Sequence, residues 1–467
     1  MIVTEPTSQS PLKQQMSGPG PQTATPPQSP PPYAPAIHYT QSYPAAGYRQ
    51  SPARRFFEAF CVAVVIYFLG AMLTSSMFWS VKHGIHHRHG RDQIPWPNDD
   101  DFKGWPVPSD GSADHCVGGR DWTPYTGFSS HPYSAHVTFD LPVSSDVLYL
   151  FARGSLADGS VTIMHSEDDR DTVQVDVIVS YHHQVALDRA NVCSLQRKPR
   201  QNGVGIFTPN FWKHSSKEDL LQFDIKVYLP VRHTQLLINA FETDLPLFFH
   251  DIGDLANTVV FERLSLRGSN QPISVGSLNA NHASITNSNS PITGSFNSST
   301  SLELRTSNSF ISANVGLIND PSGNATELVM TTSNGPIHSS ISLSSSQSTG
   351  GSFNVSTKTS NSALSVIYDA SPLASILRHE SRTSNALATV NLHSAYEGSF
   401  YLQSSNASPF ISKKHATDPS GQGRRRIVKM FRERGLITGE VHWGREMQLH
   451  GANVDIRTSN LPAHLSV

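Results

Sequence analysis

Apolar and polar residues alternate along much of the chain between residues 133 and 241. Alternation with a period of two, together with many β-branched and aromatic residues, is typical of strands that bury one face. No convincing helical pattern separates these segments, so we predict an all-β domain over residues 131–258 rather than an α/β fold. The alternating runs are HVTFDLP (136–142), VLYLFARG (147–154), SVTIMHS (160–166), TVQVDVIVSY (172–181), GVGIFTP (203–209), LQFDIKVYLPV (221–231) and QLLINAF (235–241).

From about residue 259 the alternation acquires a repeated phrase built around Ser-Asn, as in RTSNSFISANV at 305 and TTSNGPIHSSI at 331. Successive copies lie 19 to 27 residues apart, except for one interval of 54 residues. Repeats of this length are typical of solenoids, in which each repeat can bury its apolar face only against its neighbours. We therefore predict a β-solenoid over residues 259–467 with a basic insertion at 412–435. The repeated asparagines are Asn270, Asn289, Asn308, Asn334, Asn361, Asn385, Asn406 and Asn460.

The repeated phrase also suggests how the repeats stack. Ser-Asn followed by a small residue or proline favours a tight turn, because asparagine tolerates left-handed backbone geometry and can hydrogen-bond its own backbone. Asparagines stacked in register would form a ladder of side-chain amides. We expect the flanking Leu and Ile residues to point into a narrow core and the repeated threonines to line an outer strand face. These threonines are Thr306, Thr332, Thr359, Thr383 and Thr458.

An uncharged, apolar run of 21 residues occupies positions 59–79. At about 1.5 Å of rise per residue it is long enough to cross the roughly 30 Å hydrocarbon layer of a membrane. Arg54 and Arg55 precede it, and Trp79 and Lys82 lie at its other end, as interfacial anchors do. We predict a transmembrane helix over residues 56–80; a buried core helix and a signal peptide are the alternatives, and both fit the length and position of the run less well.

The orientation of this span is predicted from features that follow it. Four glycosylation sequons begin at Asn297, Asn324, Asn354 and Asn406, all after the span. Cys116 and Cys193 lie on that same side and are the candidate disulfide of an oxidising compartment, whereas Cys61 lies within the span. The expected topology is single-pass with a cytosolic N-terminus, in the plasma membrane or the secretory pathway.

Residues 1–53 are rich in Pro, Ser and Gln and lack apolar periodicity, so we expect a disordered tail with polyproline II stretches. Within it, Pro30, Pro31 and Tyr33 belong to a PPxY motif of the kind that WW domains bind. A tail with this much proline also produces such a motif by chance. A WW-domain protein is therefore one of two open interpretations of this motif.

The remaining charged and histidine-rich stretches suggest no metal site. The predicted juxtamembrane linker, residues 81–130, contains four histidines between 83 and 89 and three aspartates at 99–101, but neither group completes a recognised ligand set. The basic insertion is most simply a solvated loop; contact with anionic glycans or lipid headgroups and cleavage at its dibasic sites are the alternatives. Its basic residues are Lys413, Lys414, Arg424, Arg425, Arg426, Lys429, Arg432 and Arg434.

The phrase FDIKVYLPV, followed by QLLINAF and the TSNGPI-like turns, resembles a bacterial β-solenoid family named the putative adhesin domain, and its fungal membrane-anchored relatives. The resemblance covers about residues 220–467. It implies a solenoid fold and carries no catalytic residues.

The functional classes differ in what they require of the sequence. Charged residues make up 15% of the chain and its net charge is -2, so no global field favours nucleic acid. Between residues 265 and 410 we expect no two acids to occupy the same position of the repeat, and the sequence contains no known catalytic motif. We expect no enzyme, cofactor or metal, and favour an adhesin-like or structural surface module that meets a glycan or other surface ligand. A sorting adaptor recruited through PPxY and a carbohydrate-active β-helix enzyme are the alternatives.

Overall fold

The computed structural model describes residues 106–127, 129–166, 168–209, 219–444 and 451–467. These residues fold almost entirely as β-strands, which confirms the all-β prediction. The predicted tail with Pro30, Pro31 and Tyr33, the predicted span at 56–80 and the histidines at 83–89 lie outside the described ranges. Within those ranges no helix has the length and apolar character needed to span a membrane.

The N-terminal region, residues 106–229, contains two sheets and one short helix. In the first sheet β1, β7 and β8 are antiparallel and β4 pairs in parallel with β8. In the second, β3, β6 and β9 are antiparallel neighbours and β5 pairs in parallel with β9. The elements are β1 Ser112–Gly118, β2 Thr123–Pro124, β3 Tyr133–Pro142, β4 Val147–Arg153, β5 Ala157–His165, β6 Thr172–Tyr181, α1 Gln184–Leu187, β7 Asn191–Lys198, β8 Gln201–Phe207 and β9 Leu221–Leu229.

The solenoid, residues 236–467, continues both sheets without a break. β4 pairs in parallel with the first solenoid strand β10, and β5 pairs in parallel with β11. Its strands are β10 Leu236–Asp244, β11 Phe248–Asp254, β12 Val259–Arg267, β13 Ile273–Thr286, β14 Ile292–Arg305, β15 Ile311–Asn319, β16 Thr326–Thr331, β17 Ile337–Ser345, β18 Ser352–Lys358, β19 Leu364–Ala370, β20 Ile376–Thr383, β21 Ala388–Asn391, β22 Gly398–Ser404, β23 Phe410–Ser412, β24 Arg426–Glu433, β25 Leu436–Trp443, β26 Asn453–Thr458 and β27 Ala463–Ser466.

Each turn of the solenoid, here called a rung, places one strand in each of two parallel sheets. The first sheet contains β10, β12, the C-terminal halves of β13 and β14, then β16, β18, β20, β26 and β22. Its outward surface is called the charged face. The second sheet contains β11, the N-terminal halves of β13 and β14, then β15, β17, β19, β21, β27 and β23. Its outward surface, with Ser274, Thr293, Ser312, His338, Ser365 and Thr389 in one column, is called the hydroxyl face.

The core lies between the two sheets and is built from identical columns. Ile273, Ile292, Ile311, Ile337 and Leu364 occupy one register position in successive rungs and are at most 1% exposed. Fully burying an aliphatic side chain of this size contributes roughly 1.5–3 kcal/mol. Because successive rungs supply a buried apolar residue at the same place, each rung completes the burial of the one before it.

The order of rungs at the C-terminal end departs from the order of the sequence. The last strands, β26 and β27, lie between the rung of β20 and β21 and the rung of β22 and β23. The chain therefore leaves a gap one rung wide, builds the terminal rung, and returns to fill the gap with its last residues.

The basic insertion, expected as a loop, contains strand β24 instead. β24 and β25 form an antiparallel hairpin, and β25 pairs antiparallel with β22. Val428 and Met430 of β24 pack against the core, which is why this segment is held as a strand. The hairpin covers the terminal edge of the first sheet, so that edge is not open.

Candidate interaction surfaces of the solenoid

The eight repeated asparagines form one continuous ladder of side-chain amides at the corner where the chain passes from the charged to the hydroxyl face. Except at Asn270, which only accepts, each Nδ2 donates to the Oδ1 of a neighbouring rung over 2.6 to 2.8 Å. The direction of donation is the same throughout, so the amides are aligned head to tail. The spatial order is Asn270, Asn289, Asn308, Asn334, Asn361, Asn385, Asn460 and Asn406, which follows the displaced C-terminal rung.

The expected left-handed backbone at these asparagines is wrong. Among the described non-glycine residues, positive φ occurs at Arg200, Ser348 and Ala374, and at none of the ladder asparagines. The turn does not need a local hydrogen bond, because its amides bond to the preceding rung: Asn334 N donates to Ser307 O over 3.0 Å. Hydrogen bonds between stacked rungs therefore pair the backbone N–H groups of the turn, which an isolated left-handed turn would have to pair within itself.

The repeated threonines do not line an outer face either. Thr332 is 2% exposed, and its hydroxyl donates to Ser309 O over 3.0 Å while accepting from Gly335 N over 3.2 Å. The other four threonines are buried in the same way. They point inward at the corner because the carbonyl groups of the preceding turn need a donor there. The same position carries Asn287 in an earlier rung, whose Nδ2 donates to Gln271 O over 2.8 Å.

On the charged face, an acid pairs with the arginine two residues after it, and this happens directly before three of the turns. Glu303 pairs with Arg305, Glu380 with Arg382, and Asp455 with Arg457. The sequence-based statement that acids never share a repeat position is therefore wrong. The signal is present in the sequence as an acid, any residue, and then Arg-Thr-Ser-Asn, at 303–308, 380–385 and 455–460. It becomes visible only when the copies are aligned on the asparagine.

An open groove of 430 Å³ crosses the charged face over β16, β18, β20 and β26. Glu327, Arg378, Glu380 and Asp455 line it, and Glu380 lies directly beside Asp455 on the adjacent strand. Two carboxylates on neighbouring strands lie at a distance that a glycosidase can use for catalysis. Each of these two, however, is bound by its own arginine two residues further on, and an arginine-bound carboxylate is held as an acceptor.

Behind this groove lies a buried polar network. His379 Nδ1 contacts Tyr368 Oη over 2.7 Å, and His379 Nε2 contacts Ser381 Oγ over 2.7 Å. Burial lowers the pKa of His379 to about 3, so the ring is neutral at physiological pH. In the first rung, burial likewise lowers the pKa of His250 to about 4, although a hydrogen bond with Phe248 O opposes the shift. Both rings are structural, because both are almost completely buried and hydrogen-bonded.

The basic insertion is fixed at one end and exposed at the other. Arg424 binds Asp418 over 3.0 Å and Glu397 over 3.4 Å. The hydrogen bond from Arg424 holds the pKa of Asp418 well below its usual range. At the far end of the hairpin Phe431 is 61% exposed. The exposed basic residues of the insertion are Lys413, Lys414, Arg425, Lys429, Arg432 and Arg434.

The four sequon asparagines differ in their surroundings. Asn324 is exposed in the turn after β15, and Asn406 is exposed at the end of the ladder, where its Nδ2 donates to Asn460 Oδ1. Asn297 and Asn354 are half-buried within strands, and no described partner binds the buried Asn354 Oδ1. The folded solenoid therefore presents the first two of these asparagines more openly than the other two.

The cysteines Cys116 and Cys193 face each other in register on β1 and β7 and form a disulfide with an S–S distance of 2.09 Å. The bond lies entirely within the N-terminal region. Buried Tyr149 and Phe151, on β4, belong to the same small apolar cluster as Cys193.

Comparison with known proteins yields little. No protein-family model matches the chain, and no curated protein does. Among solved structures, the chain is similar to a putative cell adhesion protein from Clostridium sporogenes, at 9% identity and a TM-score of 0.17, over 71% of this chain and 99% of that one. A TM-score this low bears on neither the fold nor the function of this chain.

Proposed function

We propose that this chain is a non-enzymatic, single-pass membrane protein whose solenoid serves attachment or structural interaction outside the cytosol. The observation that carries the proposal is the charged face, where exposed polar side chains recur from rung to rung at the spacing of adjacent strands. Neighbouring strands lie about 4.8 Å apart, so a rigid stack offers an extended partner many equivalent contacts.

The arrangement of acids in the groove supports a non-enzymatic role. General acid catalysis by a carboxyl group requires a protonated carboxyl that can donate to the leaving group. Glu380 and Asp455 are each bound by an arginine, which leaves neither of them suited to that step. A carbohydrate-active enzyme is the second candidate, because these two carboxylates are adjacent in a groove.

The apolar run at 59–79 would anchor the chain, with the N-terminus in the cytosol and the solenoid outside it, in the plasma membrane or the secretory pathway. The position of all four sequons after the run supports this orientation. The pairing of Cys116 with Cys193 is compatible with an oxidising compartment.

An attachment assay with the full-length protein at a cell surface tests the proposal. Charge reversal of the exposed arginine column, Arg305→Glu with Arg382→Glu and Arg457→Glu, should reduce attachment to polysaccharide-coated and protein-coated supports at least tenfold. A hydroxyl-face variant, Ser312→Glu with Ser365→Glu and Thr389→Glu, is the matched control and should attach normally. Equal attachment by all three proteins would refute the role of the charged face.

Two further measurements address the remaining claims. Resistance to alkaline carbonate extraction is expected of the proposed topology. In sealed vesicles that expose their cytosolic face, added protease should digest residues 1–53 and leave the solenoid protected. Incubation with a panel of polysaccharides should release no reducing ends. If it does, and if Glu380→Gln abolishes the release while the fold is retained, the enzyme is the correct function.

A further inference from the structure

We propose that a second cleft on the charged face, here called the junction cleft, binds the acidic sugar units of a polysaccharide, with Arg267 as the partner of the sugar carboxylate. This inference rests on the proposed attachment function and names its ligand. The junction cleft has a volume of 570 Å³ and lies where the N-terminal region meets the first rungs of the solenoid.

The cleft exists because short side chains lie between two rows of long ones. Its floor is formed by Ser265, Ser284 and Thr286 of β12 and β13. One wall contains Glu242 and Asp244 of β10 together with arginines from the N-terminal region, and the opposite wall contains Glu303 and Arg305 of β14. The pairing of Asp244 with Arg267, of Arg267 with Thr286 and of Thr286 with Arg305 places these residues in one column across four successive strands.

Two arginines of the wall are each held by ion pairs and by contact with an aromatic ring. Arg197 binds Glu242 over 2.9 Å, and its guanidinium lies 4.0 Å from the centre of the Tyr149 ring. Arg153 binds Asp110 over 2.9 Å and Asp244 over 2.7 Å, and lies 4.6 Å from the centre of the Phe151 ring.

Cations held in this way lose little conformational freedom when a ligand arrives. The wall is thus organised before binding.

Arg267 is different, because its guanidinium has no hydrogen-bond or ion-pair partner among the residues that the structure describes. Its strand neighbour Asp244 is engaged by Arg153 instead. The hydroxyl groups of Ser265 and Thr286 beside it likewise make no hydrogen bond within the described part of the chain. The cleft therefore combines a free cation and free hydroxyls with carboxylates that are already fixed.

This combination fits an acidic carbohydrate. A guanidinium binds a carboxylate through two parallel hydrogen bonds, and fixed carboxylates and hydroxyls can accept from and donate to sugar hydroxyl groups. The strand spacing of about 4.8 Å is similar to the repeat of pyranose rings along an extended chain, so adjacent sugars could meet adjacent rungs.

The lining of the cleft is mainly polar, which makes a hydrophobic ligand unfavourable.

The test uses full-length protein in nanodiscs and oligogalacturonate of defined length as the probe, followed by titration calorimetry. Arg267→Gln should weaken binding at least tenfold, and Ser265→Tyr, which fills the floor without changing charge, should do the same. Lys358→Gln is the matched control, since Lys358 lies in the same column outside the cleft. Neutral dextran should not bind, and dextran sulfate should bind no better than the uronate.

Three results would overturn the inference: no binding of oligogalacturonate, an equal loss in Lys358→Gln, or tighter binding of dextran sulfate that Arg267→Gln leaves unchanged. The attachment assay separates this failure from failure of the proposed function. If Arg267→Gln cells attach normally while charge reversal of the arginine column prevents attachment, the charged face is correct and the junction cleft is not its ligand site.

Discussion

The N-terminal region and the solenoid are both built from short alternating strands, but they are held together by different contacts. In the N-terminal region, strands pair mainly antiparallel with partners distant in sequence, as Cys116 does with Cys193, 77 residues away. In the solenoid, nearly every strand pairs in parallel with the corresponding strand of the next rung. The N-terminal region therefore depends on a few contacts between segments distant in sequence, and the solenoid depends on the same strand pairing repeated in each rung. We therefore expect damage to remain local in the solenoid and to spread within the N-terminal region.

The largest effect is expected from removal of the last rung, residues 451–467. Without β26 and β27, the terminal rung of β22 and β23 loses its parallel neighbours and the edge of β20 is exposed. Hydrogen exchange should show loss of protection over 376–443, with protection of 133–229 retained. Protection that is lost equally in both regions would contradict the separation of the two regions.

Removal of the disulfide should act on the N-terminal region alone. Cys116→Ser with Cys193→Ser removes a disulfide whose cysteines are 77 residues apart. A disulfide that closes a loop typically stabilises the folded state by about 2–4 kcal/mol. Denaturant unfolding followed by hydrogen exchange of β1 and β7 measures the change. Cys61→Ser is the control, and it should leave the stability of both regions as it is.

Acid should weaken the solenoid through the buried His250 and His379. Their pKa values, about 4 for His250 and about 3 for His379, lie below the unfolded value of 6.5. The unfolded chain thus binds more protons below pH 6.5, and stability falls by about 1.4 kcal/mol per pH unit for each histidine until the folded pKa is reached.

Unfolding at pH 7 and pH 4.5 should therefore show a shallower pH dependence for His250→Gln and for His379→Gln than for the parent chain. An unchanged slope in both variants would show that other groups control acid unfolding.

Within the solenoid, the buried threonines should matter more than the exposed asparagines. Thr332→Val keeps the shape but leaves Ser309 O and Gly335 N without a partner, which should cost about 1–3 kcal/mol. Thr332→Ser keeps the hydroxyl and should cost well under that amount. Denaturant unfolding of both variants measures the difference, and an equal loss would mean that the hydrogen bonds stabilise the fold no more than the methyl group does.

The smallest effect is expected in the ladder, because its amides are exposed. Asn334 makes two ladder hydrogen bonds, whereas Asn270 at the end makes one. At about 0.5–1 kcal/mol per exposed bond, Asn334→Ala should cost twice as much as Asn270→Ala. Equal losses would show that the ladder adds nothing beyond the turn itself.

Alternation and repeat length were sufficient to predict strands and stacking, because both are local properties of the sequence. Each of the seven alternating runs lies mostly within a strand, and the asparagine positions are aligned in space. Local pattern could not predict the direction in which a side chain points at a corner, so Thr332 and its equivalents were placed outside although the carbonyls of the preceding turn draw them in.

The charged face was only partly accessible to sequence reasoning. Glu303, Glu380 and Asp455 share a position that appears only after alignment on the turn. The position of Arg267 in the junction cleft depends on strands of both regions, and no local pattern contains that information. The placement of the last rung between two earlier ones is likewise a long-range event.

That placement has a consequence for biosynthesis. A chain that emerges from the ribosome N-terminus first can stack its rungs one by one as far as β21, but β22 and β23 then have no neighbour to dock on. The gap is filled by residues 453–466, which follow the terminal rung and the hairpin in the chain and so emerge after them. The terminal rung can therefore dock only after a segment made later has reached the gap, so this end of the solenoid does not form in the order of synthesis.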